Sequence, residues 1–185
     1  VTLKETNIAG VTYANVDTFS IKNVTVYNTF MKQLAFTIAN HGVIDNVNLL
    51  KSYNEDGLSL HDNVYNSSFS NMVIKNSTRI GMLVGAGSKN NTFRNISIDS
   101  CNLSLYCYVE STQDSVHDNH FSNVSITNGI AGVTLGKCHN MTFDTLTVSY
   151  NSNSNHCVTI GGQCHDITFN GGGSYDTKQL NRNGY

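Results

Sequence analysis

The chain has 185 residues, which suits one domain, with a formal charge of −2, 13% charged residues and 39% hydrophobic residues. It carries no basic stripe of the kind that tracks nucleic acid, and no run approaches the roughly 18 apolar residues of a membrane-spanning helix. Proline is absent while asparagine reaches 26 residues, so sharp corners must rely on Asn, Gly and Asp.

Val1 to Asp17 reads as a lead-in, with a first half-coil at Ile8 to Tyr13. The regular pattern begins at Thr18. Its phrase is an apolar residue, a polar residue, Asn, and then alternating apolar and polar residues. The phrase appears at Ile21 to Asn28 and returns at Ile44 to Leu49, Phe69 to Ser77, Phe93 to Ser100 and Phe121 to Asn128. Phe143 to Val148 is a degenerate copy, and a broken one starts at Phe169. Counted on the leading apolar residue, the steps are 23, 25, 24, 28, 22 and 26 residues. Such a period marks a repeat architecture. The alternation predicts a short strand in each copy, apolar side inward.

A second phrase sits between the copies: Phe36 to Ile38, Gly57 to Leu60, Gly81 to Val84, Leu103 to Tyr106, Gly132 to Leu135 and Val158 to Ile160. Each repeat therefore holds two short strands and no amphipathic helix. That describes one rung of a parallel β-solenoid. A leucine-rich repeat has a similar period, but its Leu spacing is absent. The third residue of the first phrase is Asn23, Asn46, Asn71, Asn95 and Asn123, replaced later by Thr145 and Gly171. Stacked coils would place these residues about 4.8 Å apart. Asn accepts the left-handed backbone of a corner, and its amide can bond the copies above and below. The ladder is expected to face inward.

Thr18 to Gly173 resembles the right-handed parallel β-helix family, which includes pectate lyases, polygalacturonases, alginate epimerases and phage tailspike depolymerases. The resemblance implies an all-β, right-handed parallel β-helix of about seven coils. Ser174 to Tyr185 would then be a tail or the start of another element. It also implies an extracellular, cell-surface or virion location, and a polysaccharide partner. Coil ends would be covered by a homo-oligomer or by flanking domains, and no cofactor is implied. The activity would be that of a lyase, hydrolase or C5-epimerase. A second reading stays open: a non-catalytic structural or adhesion β-helix that stacks into a fibre, sheath or surface layer.

Hydrolysis of a glycosidic bond calls for two carboxylates, and lyase or epimerase chemistry for a base plus a group that neutralises the sugar carboxylate. Lys51 to Asn63 on the second coil is the richest stretch for both. Asp56 and Asp62 are about 20 Å apart along an extended strand, so partners from other coils are needed. Aligning Ile38 with Leu60 brings His41 beside the Asp62 turn. The predicted catalytic set is Asp56, His61, Asp62 and His41. Lys51 would neutralise a sugar carboxylate, and Tyr53 would stack on a sugar ring. Gly85 and Gly87 on the next coil would leave room for that ring. Glu110 belongs to a long insertion, Glu110 to Asn119, which explains the 28-residue step and offers a second binding surface. Tyr65, Tyr106 and Tyr108 are further stacking candidates. The Asp56 to Asp62 stretch is loosely similar to the Asp-Pro-His region of alginate epimerases, without its Pro. The Asn-Thr-Asp, Asp-Asp and Gly-His-Gly set of polygalacturonases is missing.

Five cysteines are present: Cys101, Cys107, Cys138, Cys157 and Cys164. The stretches Lys137 to Phe143 and Gln163 to Phe169 align residue for residue, so Cys138 and Cys164 are expected to be buried neighbours. A disulfide between the coils is sterically permitted. No metal site is expected there, because His139 and His165 would point away from their Cys neighbours on an extended strand.

Overall fold

The computed structural model describes residues 2–4, 10–110, 112–150 and 157–176. Among them are strands and turns and no helix. Every strand pair is parallel, and each strand lies between its equivalents in the coils before and after. Ile21 pairs with Ile44, Ile44 with Phe69, Phe69 with Phe93, Phe93 with Phe121, Phe121 with Phe143, and Phe143 with Phe169. This is a parallel β-solenoid of about seven turns, in the register that the first phrase predicts. Pairing extends back to Thr2, into the stretch read as a lead-in, and forward to Asp176. Residues 8 and 9 of the expected half-coil, and residues 177–185 of the expected tail, lie outside the described residues.

The core follows from period 2. Three inward columns run along the first face. One is aromatic: Phe69, Phe93, Phe121, Phe143 and Phe169 stack with centroids 4.5–5.0 Å apart and planes within 14°. The strand spacing of a sheet is close to the thickness of a tilted ring, so identical rings in register stack without strain. Val47, Met72, Ile96, Val124 and Leu146 form the second column, and Leu49, Ile74, Ile98, Ile126 and Val148 the third. All are buried. Across the core, Leu34, Leu58, Met82, Leu105 and Val133 line the other face.

The corners explain the asparagines. Among the described residues, twenty-one non-glycine residues have φ between 50° and 72°, and they fall into four columns along the solenoid. The first is Asn15, Ile38 and Asn63, continued by Gly87. The second is Thr18, His41, Asn66, Asn90, Asp118, Asn140 and Asp166. The third is the predicted ladder, Asn23 to Asn123, then Thr145 and Gly171. The fourth is Asn28, Lys51, Asn76, Ser100 and Asn128. The last three columns recur every five residues within a coil, as in Asn66, Asn71 and Asn76. A left-handed residue costs an ordinary L-amino acid about 1–2 kcal/mol, and Asn and Gly adopt it most readily.

Two expectations are corrected here. The Asn23 to Asn123 ladder faces solvent, because a left-handed corner turns its side chain away from the core that the flanking apolar residues fill. Asn46 Nδ2 donates to Asn23 Oδ1 at 2.7 Å, Asn95 to Asn71 at 2.8 Å and Asn123 to Asn95 at 2.9 Å. Asn71 donates instead to Asp45 Oδ1 at 2.7 Å. A separate, buried amide pair lies two residues ahead of the Phe column. Asn91 Nδ2 donates to Asn119 Oδ1 at 3.0 Å and to the Val64 carbonyl at 2.8 Å, while Asn91 Oδ1 accepts the Ser67 N–H at 3.1 Å.

The second correction concerns the other face. Leu60 pairs with Phe36, not with Ile38. Phe36 points into the core, whereas Ile38 sits at a corner and is half exposed. Apolar character alone misplaced the register by two residues. The insertion before His117 is accommodated as a loop on one corner, with Gly87 N–H donating to the Asp114 carbonyl. Cys138 is buried and Cys164 is partly exposed, and the two are not joined in a disulfide.

Candidate functional site

The second coil and its neighbours carry three separate arrangements. The first is a groove along the fourth corner column. It holds about 550 Å³ and is lined by Lys51, Asn76, Ser77, Thr78, Ser100 and Asn102. Its walls are corner residues of three successive coils, so the left-handed backbone that Asn provides also turns amides and hydroxyls outward. Lys51 Nζ lies 4.6 Å from the centroid of the Tyr53 ring, a cation–π contact, and Tyr53 is 45% exposed. Lys51 has no carboxylate partner among the described residues. Thr78 Oγ1 donates to the Tyr53 carbonyl at 2.7 Å, and Asn102 donates to the Thr78 carbonyl. These bonds tie the wall from coil to coil. The two residues predicted to bind a sugar, Lys51 and Tyr53, are thus brought together.

The second arrangement surrounds Asp56. This carboxylate is fully buried. It accepts Arg79 Nε at 2.8 Å and Arg79 Nη2 at 2.7 Å, a bidentate pair, and Ser59 Oγ at 2.6 Å. Lys32 and Glu55 pair nearby at 3.5 Å. Asp56 therefore has no surface left for a substrate. His61 stands beside this cluster. Its backbone N–H donates to the Phe36 carbonyl at 2.9 Å, and its ring Nε2 is buried without a hydrogen-bond partner. Burial first, and then the Lys32 ammonium, lowers the His61 pKa, which keeps the ring neutral around pH 7.

The third arrangement is a cleft of about 280 Å³ between the Asp62 turn and the long insertion. Asp62, Asn63, Gly87, Gln113 and Asp114 line it. It brings a carboxylate of the predicted set, Asp62, to the same cleft as one from the insertion. Glu110 is exposed at the foot of that insertion, its N–H donating to Gln113 Oε1 at 3.1 Å.

One predicted contact and one predicted opening are absent. His41 does not meet Asp62, because the register shift moves it to the coil corner beside Asn66. Its Nδ1 pairs with Asp17 at 3.0 Å instead. Gly85 and Gly87 are not there to clear space for a sugar. A Cβ on Gly85 would lie 2.3 Å from the His61 carbonyl oxygen, and one on Gly87 2.4 Å from Asn63 Oδ1. They permit close stacking of the second and third coils. Tyr106 and Tyr108 stack on each other at 5.1 Å, with Tyr106 in register with Leu83 of the coil before.

Residues missed in the sequence include Arg79, Asn76, Thr78 and Asn102. Arg79 stands 23 positions after Asp56, one coil on, which is a usable signal for an ion pair across coils. Asn76 follows Asn71 by five residues, as Asn71 follows Asn66, and that spacing announces the groove wall.

Together these features define a parallel β-solenoid protein with a polar groove along one corner and a carboxylate-lined cleft along another. No family model matches the chain, and no curated protein matches it. Among solved structures it is similar to HetL, a pentapeptide repeat protein involved in heterocyst differentiation regulation from the cyanobacterium Nostoc sp. That alignment covers 92% of this chain and 89% of HetL, with 8% identity and a TM-score of 0.20. A likeness of that size bears on neither site nor function.

Proposed function

We propose that the protein recognises an acidic polysaccharide in the Lys51 groove. The observation that supports this reading is the groove itself: about 550 Å³, faced by amides and hydroxyls, with a lysine unpaired by any described carboxylate resting on an exposed tyrosine. A sugar presents the matching chemistry. Its hydroxyls exchange hydrogen bonds with amides and Ser or Thr, its apolar face lies on an aromatic ring, and a uronate carboxylate pairs with an ammonium. The groove runs along the solenoid axis, so consecutive coils offer similar groups to consecutive sugars. It holds no carboxylate, which favours binding over hydrolysis. The reading places the protein where polysaccharides are met, outside the cell or on a virion.

A second reading is catalytic and belongs to the other cleft. Asp62 and Asp114 approach it from separate elements, as the two carboxylates of a glycoside hydrolase do. The experiment titrates the protein with alginate, polygalacturonate and neutral dextran, and follows reducing ends and absorbance near 235 nm in parallel. Binding of an acidic polymer that Lys51→Ala and Tyr53→Ala abolish, with Asp62→Asn unchanged, supports recognition at the groove. Product formation that Asp62→Asn and Asp114→Asn abolish supports the cleft. No binding and no product leaves the stacking-rod role as the better reading.

A further inference from the structure

The outward column next to the second corner carries three histidines in a row. His117 pairs with His139 and His139 with His165 in the parallel register. Their rings stack with centroids 4.6 and 4.9 Å apart and planes within 7° and 2° of parallel. Sequence reasoning set His139 and His165 aside because each points away from its neighbouring Cys, and left His117 to the long insertion. The structure shows what that orientation creates: a line of imidazoles outside the solenoid.

The two outer rings are oriented by carboxylates. His117 Nδ1 lies 2.6 Å from Asp118 Oδ2, and His165 Nδ1 lies 2.8 Å from Asp166 Oδ2. A carboxylate on Nδ1 holds the proton there and leaves the Nε2 lone pair free, which is how protein carboxylates prepare a metal-ligating histidine. Asp118 and Asp166 add negative charge beside the column.

We propose that His117, His139 and His165 form a surface site for a divalent transition-metal ion, bound through Nε2 atoms of rings on adjacent coils. In the structure the rings are parallel, and among the described residues no three ligand side chains already converge. A metal about 2.0–2.1 Å from each nitrogen needs two nitrogens about 3.3 Å apart in a tetrahedral site and at most about 4.2 Å apart in a linear one. The ring spacing exceeds both. Tilting two neighbouring surface rings toward each other closes the gap without moving the backbone. Water or an Asp carboxylate completes the shell. Three rings span too far for one ion to take all of them, so one ion uses one adjacent pair. His139 belongs to both pairs. Lys89 precedes His117 in the same column, and its charge disfavours a cation at that end. The preferred pair is therefore His139 with His165.

Imidazole suits zinc, copper and nickel. Ni2+ is the useful probe, because its paramagnetism broadens the NMR signals of the rings it touches. Reduced, metal-free protein is titrated with Ni2+ by calorimetry and by NMR at pH 7.4. The expected result is one ion per chain, with broadening centred on His139 and His165. His139→Ala should weaken binding most. His165→Ala should weaken it less, because the His117–His139 pair remains, and His117→Ala least. Asp166→Asn should weaken it roughly tenfold through the lost orientation of His165. Circular dichroism of each variant checks that the solenoid is intact. The proposal is overturned if the parent binds no Ni2+, or if folded His139→Ala binds it as the parent does.

Discussion

Asn95 allows the two jobs of a corner asparagine to be separated. Its φ is 55°, its Nδ2 donates to Asn71 Oδ1 at 2.8 Å, and its Oδ1 accepts from Asn123 Nδ2 at 2.9 Å. Asn95→Ala loses both bonds and forces alanine into the left-handed region. Two exposed side-chain bonds are worth about 0.5 kcal/mol each, the low end of the usual range. The backbone strain adds about 1–2 kcal/mol. The sum is a loss of about 2–3 kcal/mol. Asn95→Gly loses the same two bonds without strain, but carries about 0.5–1 kcal/mol of extra unfolded-chain entropy. It should therefore be the milder change, at about 1.5–2 kcal/mol. Ser97→Ala, on the same strand but away from a corner, serves as the control and should cost under about 0.5 kcal/mol. Urea melts followed by circular dichroism read all three, with slopes compared to confirm that one transition is being measured. Asn66 also has positive φ, at 53°, so Asn66→Ala should fall with Asn95→Ala and not with the control. The reasoning fails if glycine at position 95 is worse than alanine, or if alanine there costs no more than Ser97→Ala.

Further predictions concern the ion pair, the thiols and acid. Arg79→Ala leaves the buried Asp56 carboxylate with only Ser59, and should cost about 2–4 kcal/mol in the same melts. That is somewhat below a fully buried pair, because the guanidinium is half exposed. The double change Asp56→Leu with Arg79→Leu should recover part of that loss; a double variant as unstable as the sum of the singles would contradict it. Among the thiols, Cys164 should react first with a maleimide in the native state, with Cys138 and Cys107 protected until denaturant is added; equal rates at Cys138 and Cys164 would show the coil packing to be wrong. Hydrogen bonds from Ser70 and then Asn71 lower the Asp45 pKa, and bonds from Asn170 and then His120 lower that of Asp144. Because both folded values are depressed, their stabilisation is fully present above the ordinary 3.8 and disappears as pH falls through the lower folded values. Melting temperatures between pH 5 and 2 should show that decline, and Asp45→Asn should flatten it.

The repeat was legible in the sequence because a strand has period 2 and a coil has a nearly constant length. Those two facts by themselves place Phe69, Phe93, Phe121 and Phe143 in one inward column. The abundance of Asn was legible as a corner signal, and its recurrence every five residues at Asn66, Asn71 and Asn76 could have been read as well. What the sequence left open depends on distances between residues in different coils. Ile38 looked like the partner of Leu60 because both are apolar, yet only the corner backbone decides that Phe36 turns inward and Ile38 outward. His41 consequently meets Asp17 and not Asp62. Asp56 reads as a catalytic candidate in the sequence, and only the stacking of two coils shows its carboxylate buried against Arg79. The histidines at 117, 139 and 165 follow steps of 22 and 26 residues, and only the loop ahead of His117 and the register of the last coils set their rings face to face. Local pattern determines which side of a strand a residue takes; the lengths of the turns between strands determine which residues then touch.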